Sequence, residues 1–415
     1  MKKVSGLKFL VTINVYTNTG SPVKLGGGKL DFGDEIIHTT PTQENTPFAP
    51  GIGFVSYSIE HTYQKPGQYT ISYIENNLES GMLNITNSVS TPFYLETSAY
   101  LDETTDYSSP NFLLPPIFYS PSGLHFSFSN AAYDKNNYRL VYHLTPPILY
   151  GKYTQPESLK INNYNGTITW DGKYQGRELV GTFLLAVRVL QIDEKGNIKG
   201  STMRTFQITL DDRNVSEISI TSPLLDENSS VFVDVEKPSS FLFIVDNRYQ
   251  NRSDIDFDIY MDETIQHNVA WSKANLYGFL QGSLEINSTP NIVRDNPYNI
   301  VLRLRFKLAY NDHYYYRDIP LLVSTKNVPL PPITPLIENE RKMELLAFPN
   351  PCYDAITIFS DMDGEVEIKD MTGKTIEKIY TLPTQILDFT NYAAGCYFLD
   401  YRSPSQRKTF RIIRL

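Results

Sequence analysis

The 415-residue chain has two cysteines, two tryptophans and six histidines, and it lacks any run of about 18 apolar residues. Each scarcity closes a class. Two cysteines, Cys352 and Cys396, make neither a disulfide framework nor a thiolate metal site. Without a long apolar run, no membrane-spanning helix is expected. The histidines (His38, His61, His125, His143, His267 and His313) fit no zinc-binding spacing, and no nucleophile-elbow or phosphate-loop pattern occurs. Basic residues are the minority, 37 against 46 acidic, for a formal charge of −9. With no basic stripe to neutralise phosphates, nucleic acid is not expected as a partner.

What is plentiful points one way. Aromatics make up 13% of the chain, with 29 Tyr and 22 Phe, and 26 Pro and 23 Gly supply turns. Helix formers are thin while β-branched and aromatic residues are dense, which predicts an all-β fold of short strands. The length is too great for one core, so several domains in tandem are expected.

The N-terminal stretch MKKVSGLKFLVTINVY begins basic, but Lys8 interrupts the apolar run and no small-residue cleavage site follows. Its alternation reads as the first strand of a domain. Further on, LDFGDE is followed about thirty residues later by HTYQKPGQYTIS. Pro66 presets φ for a turn, and Gly67 is expected to take the positive φ of a type II turn, closing a hairpin. Alternation puts Tyr69, Ile71 and Tyr73 on one face of the strand that follows. These motifs resemble the polycystic-kidney-disease (PKD) repeat, an Ig-like β-sandwich of surface proteins. Glu35 stands where the family has its last turn glycine, and Leu30 where it has Trp. The resemblance implies a spacer or ligand-contacting PKD-like domain over 1–105, with motif residues Phe32, Gly33, Asp34, His61, Tyr63, Pro66, Gly67 and Tyr69.

Residues 106–213 carry a run of strand patterns, with hairpin turns at Asn165-Gly166 and Lys195-Gly196-Asn197. NNYNGTITWDG and the long strand GTFLLAVRVLQID resemble cadherin-like or bacterial Ig-like modules. Residues 214–326 repeat that layout and are read as a second Ig-like sandwich. A proline-rich segment, 327–343, is expected to be an extended linker.

The last stretch, 344–415, holds six or seven short strand patterns separated by DMDG, MTGK and YAAG, a small sandwich. Gly373 and Gly395 are expected at positive φ, Ile356 and Ile358 start the core, and Asp354 caps a turn. Here FPNPCYDAITI, IKDMTGKTI, LDFTNYAAGCYFL and RKTFRIIR occur in order. They are similar to the type A C-terminal sorting domain of the type IX secretion system of Bacteroidota. The matching residues are Pro349, Asn350, Pro351, Asp354, Asp370, Gly373, Gly395 and Tyr397, with Cys396 read as a small buried hydrophobe. The resemblance implies the secretion translocon and its sortase as partners. It also implies a secreted or outer-membrane-surface location, and a start upstream of Met1 that encodes a signal peptide.

Carboxylates cluster at Asp31, Asp34 and Glu35, at Asp361, Asp363 and Glu365, and at Asp254, Asp256 and Asp258. Turns and a solvated strand face account for them; no cofactor is expected beyond weak calcium binding. Tyr-rich stretches such as HYYYRD and YGKYTQP suit surface recognition of a glycan or protein ligand. The expectation is a chain of tandem Ig-like β-sandwiches with a small C-terminal sorting sandwich, non-catalytic, serving binding, adhesion or spacing. The alternative is a secreted hydrolase or carbohydrate-binding protein with its site in 106–326.

Overall fold

The computed structural model describes all residues except 22–23, 76–77, 123–125, 148–152, 175–176, 179, 213–218, 222–229, 235–236, 247–251, 277–278, 309–313, 327–345, 349–351, 353–354, 360–363, 382–384, 404–406 and 415. The chain is nearly all β-strand and divides into two compact units, Met1–Pro329 and Leu330–Leu415. The linker read at 327–343 lies outside the described residues.

The first unit opens with an antiparallel hairpin, strands Lys2–Ser5 and Lys8–Asn18, where alternation predicts a strand. Strand 8–18 pairs with Ile52–Thr62, which pairs with Thr46–Ala49. Phe9, Val11 and Ile13 turn inward from this four-stranded sheet onto Leu30, Phe32, Tyr69, Ile71 and Tyr73, all buried in one core. Leu30, 1% exposed, fills the place where the PKD-like pattern has a larger Trp. Strand Gly67–Glu75 belongs to the opposite sheet, between Lys29–Asp31 and Phe93–Leu101. The expected hairpin around Pro66-Gly67 is therefore corrected: strand 52–62 and strand 67–75 lie in different sheets, and the turn carries the chain from one to the other. Gly67 accordingly has no positive φ and begins a strand.

That second sheet does not stop at residue 105. Strand 93–101 pairs with Ile198–Asp211 through Ala99↔Gly200, Ser98↔Ser201 and Thr97↔Thr202. Strand 198–211 then pairs with Gly181–Ile192, and that strand with Arg139–Thr145. The Gly196 turn between the two long strands has φ +84. A smaller sheet, Phe126–Ser129, Lys160–Ile161 and Thr167–Trp170, faces the long strands across a core of Phe118, Phe128, Trp170, Phe183, Val187 and Phe206.

The strands from Ser219 to Ser324 form two four-stranded sheets. One runs Ser219–Thr221, Ser239–Asp246, Phe279–Ile286, Val269–Leu276; the other Ser230–Phe232, Tyr315–Ser324, Tyr298–Leu308, Arg252–Met261. Polar bonds join this sandwich to the preceding one. Arg303 Nε and Nη2 donate to the Asp318 carboxylate at 2.7 and 2.8 Å, with both side chains fully buried. Asp318 Oδ2 also accepts from the Ser129 N–H at 2.8 Å, and Arg303 Nη1 donates to the Pro115 carbonyl at 3.2 Å. Asn299 Nδ2 donates to the Ala132 carbonyl at 3.1 Å, and Tyr315 Oη to Asp211 at 2.7 Å.

The second unit packs a three-stranded sheet (Leu346–Phe348, Ala355–Phe359, Gln385–Asp388) with a four-stranded one (Thr375–Thr381, Gly364–Lys369, Gly395–Arg402, Arg407–Arg414). Ile356, Ile358, Val366, Ile368, Leu399, Tyr401 and Ile412 fill the core between them.

Candidate functional site

The PKD-like motif residues converge on one corner of the first sandwich. Asp31 Oδ1 accepts the Gly33 N–H at 2.8 Å, and Gly33 has φ +78 with its α-carbon against Thr70, where a Cβ would sit 2.5 Å from the Thr70 carbonyl oxygen. Burial raises the Asp31 carboxyl above its ordinary range, against the pull of that N–H. Glu35, in the family's glycine position, holds φ +72. Asp34 Oδ2 lies 2.7 Å from His61 Nε2, and the imidazole stacks on Phe32 at 3.9 Å with 7° between planes. Tyr63 meets His61 edge-on at 4.7 Å and donates to the Phe32 carbonyl at 3.0 Å. Tyr69 leans on Tyr63 at 4.1 Å, and its hydroxyl donates to the Lys65 carbonyl at 2.8 Å; Pro66 stands exposed beside it. These bonds and ring contacts stiffen this corner of the sandwich.

Among the described residues, no group of His, Cys, Asp and Glu is arranged to hold a metal ion. Asp256 instead pairs with Lys273 at 2.5 Å and Arg305 at 3.1 Å, and Asp258 approaches Arg305 at 3.8 Å. Asp361, Asp363 and the Asp254 side chain lie outside the described residues.

In the second unit, Pro349, Asn350, Pro351 and Asp354 lie outside the described residues. Asp370 makes a turn of its own: Oδ1 accepts from Thr372 N and Oγ1 at 2.8 and 2.6 Å and from Lys374 N at 3.1 Å. These bonds, Thr372's hydroxyl foremost, hold its carboxyl below the usual range. Gly373 closes the turn at φ +83. Asp388 repeats the device on Thr390. Tyr397 is buried and donates to the Ala393 carbonyl at 2.7 Å, with Phe389 and Tyr392 against its ring at 5.8 and 5.4 Å.

Two expectations are corrected here. Gly395 has no positive φ; it opens strand 395–402, and a Cβ there would meet Ala393 O and Tyr397 at 4.0 Å. Cys396 is half-buried on the outer face, because Tyr397, Leu399 and Tyr401 take the inner one; Cys352 is the thiol in the core, 0% exposed.

The outer face carries a charge lattice that motif reading missed, although the alternation Glu365, Glu367, Lys369 signals it. Glu367 is paired with Lys378 at 2.5 Å, Lys369 at 3.2 Å and Arg402 at 3.6 Å. Lys369 also pairs with Asp400. Tyr380 stands 70% exposed beside it.

Residues 346–414 match the family model described as the secretion system C-terminal sorting domain. No curated protein matches the chain. Among solved structures it is similar to a chimeric titin Z1Z2 tandem (11% identity, 52% of this chain, 100% of that chain, TM-score 0.19). It is also similar to the sialic acid binding region of a Streptococcus sanguinis adhesin (9%, 68% and 97%, TM-score 0.19) and the ICAM-5 D1–D4 ectodomain (10%, 98% and 99%, TM-score 0.19). Overlaps this low carry no argument about ligand or arrangement. The C-terminal strands are a type IX secretion sorting domain, borne on a secreted or outer-membrane-surface chain of β-sandwiches.

Proposed function

We propose that the chain is a non-catalytic surface protein that binds, adheres or spaces, delivered by the type IX secretion translocon and trimmed by its sortase. The single observation that carries this is the sorting domain at 346–414. The divisions 1–105, 106–213, 214–326, 327–343 and 344–415 then read as cargo, tether and label, the first two sharing one sheet.

The test is fractionation. The chain, preceded by a signal peptide, is expressed in a Bacteroidota host with an intact type IX system and in a translocon-deficient sibling. Surface or medium localisation in the first and periplasmic retention in the second is the expected result. The intact mass of the exported form should end within residues 326–346. Equal distribution in both hosts, or an exported form that keeps Leu415, overturns the proposal.

A further inference from the structure

Among the described residues, the third sandwich is open along one side. Strand 269–276 is the edge of one of its sheets and strand 252–261 the edge of the other. Between them run two adjoining clefts of about 380 and 420 Å³. Val269 and Trp271 line the first, with Tyr260, Met261 and Gln266; Lys273 and Asn275 line the second, with Asp256, Arg305 and Tyr314. The four residues Val269, Trp271, Lys273 and Asn275 alternate along one strand, so they share one face. The clefts therefore form one groove, roughly 20 Å long at the rise of a strand.

The register shows what is unusual. Trp271 is opposite Leu284 and Val269 opposite Ile286, both core residues, so this is the face that looks into the sandwich. Yet Trp271 is 41% exposed. Its ring is tilted by 52° against that of the buried Phe257, centroids 5.8 Å apart, the Lys273 ammonium stands 5.8 Å from its centroid, and the ring lines the first cleft. An exposed indole at a mouth where a smaller aliphatic would close the core presents a flat apolar surface to solvent. Around it stand hydrogen-bonding groups: the Asp256 carboxylate, held by Lys273 and Arg305, and the exposed Asn275 and Gln266 amides.

A flat apolar plate rimmed by donors and acceptors matches one ligand chemistry closely. A sugar ring has an apolar C–H face and a rim of hydroxyls. The charges beside the groove pair off, Asp256 with Lys273 and Arg305, and Asp258 with Arg305 at 3.8 Å, which favours a neutral ligand over an anion. An open groove longer than one ring admits a chain rather than a monosaccharide. We propose that the groove between strands 252–261 and 269–276 binds a neutral oligosaccharide, with Trp271 as the stacking plate and Asn275 as a hydroxyl partner. This deepens the binding role proposed above and rests on it.

The chain reports on this site by itself. Its only other tryptophan, Trp170, is fully buried in a different core. The full-length protein is titrated with cello-, xylo-, malto- and N-acetylchito-hexaose while tryptophan emission and acrylamide quenching are followed. At least one hexasaccharide should shift the emission saturably and shield Trp271 from acrylamide. Trp271→Ala removes the reporter, so its affinity is read by isothermal titration calorimetry beside the unaltered protein; it should be weaker by roughly tenfold or more, the scale of removing an aromatic anchor. Asn275→Ala, on an exposed edge position, should weaken it several-fold with the fold intact by circular dichroism. No response to any of the four sugars overturns the inference, as does unchanged affinity in both variants. Surface delivery of the same protein is scored separately, so a delivered chain blind to these sugars sinks the groove and leaves the secretion reading standing.

Discussion

Tyr69 and Tyr397 perform the same task in two separate folding units. Each is a buried tyrosine near the start of a strand, and each donates its hydroxyl to the backbone carbonyl four residues earlier, Lys65 at 2.8 Å and Ala393 at 2.7 Å. The bond pins the loop to the sheet at the corner where the chain enters it, a device of Ig-like sandwiches. Removing the oxygen alone should cost each unit about 1 kcal/mol. Hydrogen exchange on the full chain would resolve the effect: Tyr69→Phe should speed exchange within 29–75 only, and Tyr397→Phe within 364–414 only. Exchange that spreads equally over both units in either variant contradicts the assignment.

Backbone conformation separates the glycines. Gly33→Ala must bring a methyl within 2.5 Å of the Thr70 carbonyl oxygen at a positive φ, and should cost more than about 2 kcal/mol. Neighbouring Glu35 already bears the left-handed conformation, so Glu35→Gly should gain up to about 1 kcal/mol, the greater chain entropy of glycine cancelling part of the relief. Chemical denaturation measures both. A destabilised Glu35→Gly would mean that the side chain supports the turn.

Acid should first strengthen the first unit and then weaken it. Burial raises the Asp134 carboxyl to about 6, and the bonds it accepts from Gln191 and Tyr138 at 2.6 Å do not offset this. Its folded value exceeds the unfolded one, so the folded state binds the proton more tightly and stability rises as pH falls from 7 toward 4, by about 1–3 kcal/mol at most. Asp102, held at about 2 chiefly by the Thr105 N–H, acts oppositely and loses its contribution as pH falls below 4. Thermal midpoints at pH 7, 5 and 3 should pass through a maximum. A monotonic fall from pH 7 would exclude a protonating Asp134.

The Arg303–Asp318 pair should be dispensable as a pair and indispensable singly. Asp318→Ala strands a buried guanidinium and should cost about 3–5 kcal/mol; Arg303→Met with Asp318→Leu should recover most of it. Limited proteolysis of the joint, near residues 115–132, reads the outcome. A double variant as labile as Asp318→Ala would show that the bonds from Ser129 and Pro115 matter more than the charge.

Much of this fold is legible in sequence because alternation is local. The inward set Tyr69, Ile71, Tyr73 follows from period two, as does the core start at Ile356 and Ile358. Sheet membership is not local, and there the reading failed. Pro66-Gly67 looks like a hairpin turn, yet its flanking strands pair with distant partners, Lys8–Asn18 and Phe93–Leu101. Gly395 departs from its expected positive φ for a related reason: the turn before it is made by Asp388 and Thr390, which leaves the glycine free to be extended. Trp271 gave no warning at all, since its exposure depends on where the opposing sheet happens to end.

The pairing of strand 93–101 with strand 198–211 bears on how such a protein can be inherited. A cut at residue 105 would leave two pieces, each with a raw strand margin where Ser98 and Ser201 had met through their hydroxyls at 2.9 Å. Raw margins invite pairing with strangers. Shuffling by recombination should therefore carry residues 1–211 as a single cassette.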